Sequence, residues 1–232
     1  MKQKIIFISL FTVLGYLALQ IPLTHLAGSK AAFTLYDCVA PLAGAFIGTL
    51  PGIIAVLSIQ LLNLLAHGTQ NMDMGSIIRL FPMLFAVAYF ARKSVLNIVI
   101  PLIAIVIFLF HPIGRTVWYF PLFWLIPVVA YFLRDRFLLA RALGATFTAH
   151  AVGGALWIWT FALPAAAWNS LIPIVIKERL LFTLGIGGSF IVLNNLICWI
   201  DTKNLFSIRL TFENKYLVPQ LHIYAEKKHT TV

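Results

Sequence analysis

The chain has 232 residues, 61% of them hydrophobic and only 10% charged, with a mean hydropathy of +0.96. Soluble domains carry about 25% charged residues, and so small a charged fraction does not cover the surface of a water-soluble globule; the expectation is an all-α fold, a polytopic transmembrane bundle of six to eight helices, with the lipid bilayer as its surroundings. The formal net charge of +10 follows from basic residues gathering in cytoplasmic loops and beside anionic headgroups, and without any nucleic-acid-binding motif it points to no nucleic-acid partner.

Along the chain, Met1-Lys-Gln-Lys4 precedes a first apolar segment from Ile5 to Pro22. This start resembles a signal peptide, but Gln20-Ile-Pro-Leu-Thr-His25 has no convincing small-x-small cleavage site, so a retained transmembrane helix is expected. A hairpin follows, Phe33 to Thr49 and Pro51 to Ala66. On helical spacing Asp37, Pro41, Gly44 and Gly48 share one face of its first arm, and Gln60, Asn63 and His67 share one face of its second. The remaining segments are Ile77 to Ala91, Val95 to Phe110, Val117 to Leu133, Ala140 to Leu163 and Leu180 to Ile200. The second to fifth are short beside the ~20 residues that cross a bilayer. Each is read as a crossing or as part of a re-entrant hairpin buried in protein, so six crossings fit as well as eight.

With Lys2 and Lys4 inside, Arg92, Lys93, Arg134, Arg136, Arg141 and the tail also fall inside, as the positive-inside rule requires. A multi-pass protein of the plasma or inner membrane with both termini cytoplasmic is expected. Residues 1–201 form one transmembrane domain. Residues 202–232 form a basic cytoplasmic tail lying against the headgroups, with short strands as an option at Ser207 to Phe212 and Gln220 to Tyr224.

Small residues at Gly44, Gly48 and Gly52 let another helix approach closely; they read as a helix-packing surface or a partner interface. Asp37 is an ionisable group in an apolar run, where charge is costly. It is read either as a buried ion pair or helix N-terminal acid, or as a ligand contact. The same topology gathers Asn63, His67, Arg79, His111, Arg115, Trp168, Glu178 and Arg179 at the outer end, which points to a polar pocket or to residues at headgroup level. His150 lies in mid-membrane, as a packing histidine, a substrate contact, or a metal ligand or proton carrier. Asn194-Asn195 reads as helix glue. Cys38 and Cys198 have no metal-type spacing. Zinc-protease, serine-hydrolase and Walker A motifs are missing, so neither catalysis nor a cofactor is expected.

The stretch carrying Phe33, Leu35, Asp37, Gly44, Gly48, Pro51 and Gly52, with Asn63 near its end, resembles the substrate-binding components of energy-coupling factor (ECF) vitamin transporters. The resemblance covers about 35 residues, and riboflavin-type members look nearest. It implies a small helical protein that captures a vitamin-like solute at the outer face and works with a coupling membrane protein and ATPase subunits. The ligand-binding candidates are then Asp37, Asn63, His67, Arg79 and His150. That family usually has six helices and carries Ala-x-x-x-Ala in the first; here Ala27 to Ala31 has the spacing but follows the first segment. The alternatives are an intramembrane metal-dependent enzyme using His67, His111, His150 and Glu178, and a structural membrane subunit of an envelope complex.

Overall fold

The computed structural model describes residues 2–29, 32–66, 73–203 and 211–223. Within them every apolar segment is helical, as it must be where few polar side chains are at hand to satisfy the backbone. Helix α1 spans Lys2–Leu19. Strands β1 (Pro22–His25) and β2 (Ala32–Thr34) form an antiparallel hairpin with Thr24 opposite Phe33. The expected single helix from Phe33 to Thr49 is instead broken. It consists of α2 (Tyr36–Val39), a 3-10 turn at Ala40–Leu42 and α3 (Ala43–Ile47). Pro41 has no N–H for the helical ladder, which tightens the chain there, and Phe33 belongs to β2.

Helix α4 (Thr49–Ala66) leaves the corner at Gly48. It is followed by α5 (Met74–Ile78), α6 (Pro82–Ala91), α7 (Leu96–Phe110) and α8 (Pro112–Thr116). A 3-10 segment at Phe120–Leu125 leads into α9 (Ile126–Leu133), and α10 (Leu138–Phe161) and α11 (Ala165–Thr202) complete the bundle. Thr49–Ala66, Met74–Ala91 and Ala165–Thr202 are long and apolar enough to cross a membrane; Tyr36–Ile47, Leu96–Phe110 and Phe120–Leu133 are shorter apolar helices. Helix α11 begins 15 residues before the expected Leu180. Its 38 residues reach about 57 Å at helical rise, and Glu178-Arg179, which looked like a boundary, lie inside it.

Helix α10 runs through the middle, packed against α6, α7, α9 and α11. Its small residues make this possible. Tyr89 lies against Gly144 and Trp124 against Gly154, where a Cβ would collide with the rings, and Tyr89 donates its hydroxyl to Pro127 O at 2.8 Å. The glycines of the hairpin have separate duties. A Cβ on Gly52 would sit 2.6 Å from Gly44 Cα, and one on Gly44 2.8 Å from Ala91 Cβ. These two positions therefore pack α3, α4 and α6 together inside the chain. Gly48 turns the corner with φ +97°, a conformation L side chains rarely adopt.

One end of the bundle is basic. Arg134, 3% exposed, donates to the carbonyls of Tyr89, Phe90 and Arg92, and Arg141 Nε donates to Phe90 O at 2.6 Å. Two guanidinium groups thus satisfy the last carbonyls of α6, where a helix end favours positive charge. Nearby, Lys93 holds Asp135 at 2.7 Å, and this hydrogen bond keeps the Asp135 carboxyl below its usual range.

Part of the tail is docked on this end. Arg141 pairs with Glu213 at 2.6 Å. Asn194 accepts from Glu213 N and donates to Glu213 O, while Asn195 accepts from Val218 N and donates to Tyr216 O. The asparagines expected to join helices instead grip the backbone of residues 213–218. Of the strands considered in the tail, residues 219–223 form a helical turn, and most of the other lies outside the described residues.

Replacing Gly52 with Ala is expected to destabilise by about 1–3 kcal/mol through overpacking, read as a lower melting temperature in detergent. Gly188→Ala, with nothing within 4 Å of its Cβ, should leave it unchanged. Asn194→Leu should cost about 1–3 kcal/mol and speed hydrogen exchange at the Glu213 amide.

Candidate functional site

The opposite end of the bundle holds a partly open cavity of about 360 Å³. It lies where α2 and α6 begin, where α10 ends, and along the first half of α11. The β-hairpin contributes His25 and Phe33, and the turn that joins its two strands Leu26 and Ala27. That turn is held by Trp157, whose indole N–H donates to Ala27 O at 3.1 Å.

Asp37 enters the site from the first turn of α2, 7% exposed. Its Oδ2 accepts from the Thr34 amide at 2.7 Å and the Thr34 hydroxyl at 3.2 Å. Arg79, just past α5, brings Nη2 to 3.0 Å from the same oxygen and 3.3 Å from Oδ1. The pair links the β2–α2 junction to the α5–α6 junction across 42 residues of sequence. Phe33 stands between this pair and a second one. The Arg79 guanidinium lies 5.4 Å from the centre of its ring and that of Arg179 4.5 Å, distances at which a ring face attracts a cation.

The second pair is on α11. Arg179, 3% exposed, sits 3.4 Å from Glu178 Oε2 and donates to Thr146 Oγ1 on α10 at 3.3 Å. Its Nε–H is buried without a hydrogen-bond partner among the described residues, as is the indole N–H of Trp168. His150, on α10, also lines the cavity. Trp124 Nε1 lies 3.0 Å from His150 Nδ1. An indole nitrogen only donates, so Nδ1 is the acceptor and the ring is neutral, with its proton on Nε2.

Three of the five expected ligand-binding residues, Asp37, Arg79 and His150, therefore meet at one cavity. Asn63 does not; its Oδ1 accepts from Gln20 of α1 at 2.8 Å, while Gln60 on the same helix donates to Leu80 O. His67 lies outside the described residues. His111 caps α8 through Ile113 N and stands against Trp159, away from the cavity. Glu178 and Arg179 belong to the site with equal claim, and their signal was present as an acid-base pair in an apolar surrounding. Phe120, Trp157 and Phe182 gave no signal, because aromatic residues in apolar helices look alike whichever way they face. No three His, Cys, Asp or Glu side chains among the described residues stand close enough together to hold a metal ion.

No family model matches the chain. An uncharacterized protein of Methanocaldococcus jannaschii is 24% identical to it over 243 aligned positions, covering 95% of this chain and 81% of the relative. No solved structure matches.

Arg79→Ala strands the buried Asp37 charge and is expected to cost about 3 kcal/mol, read as a fall in melting temperature. Asp37→Asn combined with Arg79→Gln should recover part of that loss.

Proposed function

We propose that the protein is the substrate-capture subunit of an ECF-type transporter, a multi-pass membrane protein with its cavity facing outward. It binds a vitamin-like small solute for uptake driven by partner ATPases through a coupling membrane protein. The observation that carries this reading is the convergence of two acid-arginine pairs and a neutral histidine on one cavity at the end opposite the arginine cluster. In a chain with so few charges, four at one cavity are a costly concentration, and a concave, largely apolar site with a few convergent polar groups is the usual form of a small-molecule site.

Membrane insertion is supported by the three long apolar helices and by large apolar side chains turned outward, among them Val129, Phe132, Leu184 and Val192. Orientation is supported by the basic end: Arg92, Lys93, Arg134, Arg136, Arg141 and Lys215 gather there, and basic loops stay in the cytoplasm. The resemblance of the Phe33–Asn63 stretch to ECF substrate-binding components agrees with both. The eight apolar segments of the sequence would give up to eight crossings, with the broken α2–α3 arm packed on α6 and α11.

The chain's own contribution would be differential binding. A solute held more tightly in the outward state than in the inward state is released when partner subunits shift the equilibrium, and the ligand moves that equilibrium only by its difference in affinity. No nucleotide chemistry is asked of these residues.

The test is a thermal-shift screen of the purified full chain against a broad library of water-soluble vitamins and their precursors, with an affinity pull-down from the native membrane. Saturable, roughly stoichiometric binding without ATP and recovery of an ATPase are the expected results. No shift with any solute, together with no ATPase in the pull-down, would sink the reading.

A further inference from the structure

At the basic end, the turn between α6 and α7 is stitched to the turn between α9 and α10. Arg134 donates to Arg92 O at 2.9 Å and Lys93 pairs with Asp135 at 2.7 Å. Lys215 of the docked tail donates to the carbonyls of Asp135 and Arg136 at 3.2 and 2.7 Å. Most of the positive charge gathered here is already committed. Arg134 and Arg141 close the end of α6, Arg141 also holds Glu213, and Lys93 holds Asp135.

Arg92 and Arg136 differ. Both are exposed, and among the described residues neither guanidinium makes a hydrogen bond or an ion pair. Arg136 rests against the ring of Phe137, 5.3 Å from its centre. Beyond these two cations the surface turns apolar. Helix α7 packs beside α9. Leu96, Val99 and Ile103 on α7 are exposed, as are Val129 and Phe132 on α9, the last at 69%. Steps of three and four put each set on one face of its helix. The 15 residues of α7 carry this stripe along about 22 Å.

A planar guanidinium suits a phosphodiester, which it grips through two parallel N–H donors. Free phosphate would satisfy the arginines and gain nothing from the stripe. An acidic protein segment docked on the turns would likewise leave the length of α7 bare. An anionic phospholipid uses both features, its headgroup at the cations and its chains along the helices. A zwitterionic lipid brings its own ammonium to the phosphate and so gains less from a basic cluster.

We propose that the α6–α7 and α9–α10 turns form a discrete site for one anionic phospholipid, with Arg92 and Arg136 holding its phosphodiester and the exposed faces of α7 and α9 receiving its acyl chains. The site depends on membrane insertion and is independent of solute capture at the opposite end. A lipid held by both turns binds the folded chain alone, and so stabilises it by mass action.

The experiment incubates the detergent-purified full chain with palmitoyl-oleoyl phosphatidylglycerol or phosphatidylcholine and counts retained lipid by native mass spectrometry. Melting temperature is read in nanodiscs of each lipid. One phosphatidylglycerol per chain is expected, with a higher melting temperature than in phosphatidylcholine. Arg92→Gln combined with Arg136→Gln should weaken retention at least about tenfold and remove the thermal gain. Both side chains are exposed and unpaired, so this variant should melt like the wild type in phosphatidylcholine. Lys203→Gln removes a charge just past α11 at the same end and should leave retention unchanged. Equal retention of the two lipids, or a double variant that keeps its phosphatidylglycerol, would overturn the proposal. So would an equal loss in Lys203→Gln, the mark of attraction spread over the whole end. Displacement of the lipid by inorganic phosphate at equal concentration would assign the arginines to a soluble anion instead. Loss of a protein partner from the double variant's pull-down, with lipid retention intact, would assign them to that protein.

Discussion

The buried contact between Arg79 and Asp37 is the constraint on which the site depends. Neither charge is tolerable alone in an apolar bundle, so the two segments that carry them must meet. Asp37 is simultaneously committed to Thr34 through backbone and hydroxyl, which ties the end of the β-hairpin to the start of α2. Arg79 stands where α5 turns into α6. Joining them closes one wall of the cavity, sets Phe33 between two guanidinium groups and fixes how the hairpin lies over the opening. The cost of hiding charge thus becomes a geometric specification, stricter than apolar packing supplies.

The residues that sequence reasoning found were those whose chemistry contradicts their surroundings. Asp37, Arg79 and His150 each stand in an apolar run, where an idle polar group is expensive, and all three reach the cavity. The apolar segments were legible for the same reason, as long runs bounded by charges and turns. The failures also have physical causes. The start of α11 was placed too late because Glu178-Arg179 look like a helix boundary until their partners, Thr146 and each other, are seen. Pro41 and the β-hairpin break the arm that periodicity joined, since periodicity reports faces and not hydrogen bonds. Asn63 shares a face with Gln60, but a helix face spans more than one neighbour, and Gln20 of α1 claims it. The docking of residues 211–218 was invisible because a polar, basic stretch reads as solvated; only the tertiary position of Asn194 and Asn195 reveals its seat.

The two ends of the bundle solve opposite electrostatic problems. At the basic end, arginines meet carbonyl groups: Arg134 and Arg141 close the end of α6 with directional donors. At the cavity end, Arg79 and Arg179 meet carboxylates and the ring of Phe33, and neither caps a helix with its guanidinium. A guanidinium suits both tasks, having five donors in a fixed plane and a weakly hydrated surface. Between the ends, α10 keeps the helices close through glycine and alanine, and it sends His150 and Trp157 to the cavity.

The clasp formed by Asn194 and Asn195 also bears on how the molecule comes to be made. Residues 213–218 emerge from the ribosome after α1 to α11, so the seam between α3, α10 and α11 at the basic end closes only after those helices have been made. Until then Asn194, fully buried in the finished protein, and the guanidinium of Arg141 lack the backbone and carboxylate they finally hold. A chain cut just before Glu213 would carry α1 to α11 and still lack the groups that Asn194 and Arg141 hold at that seam.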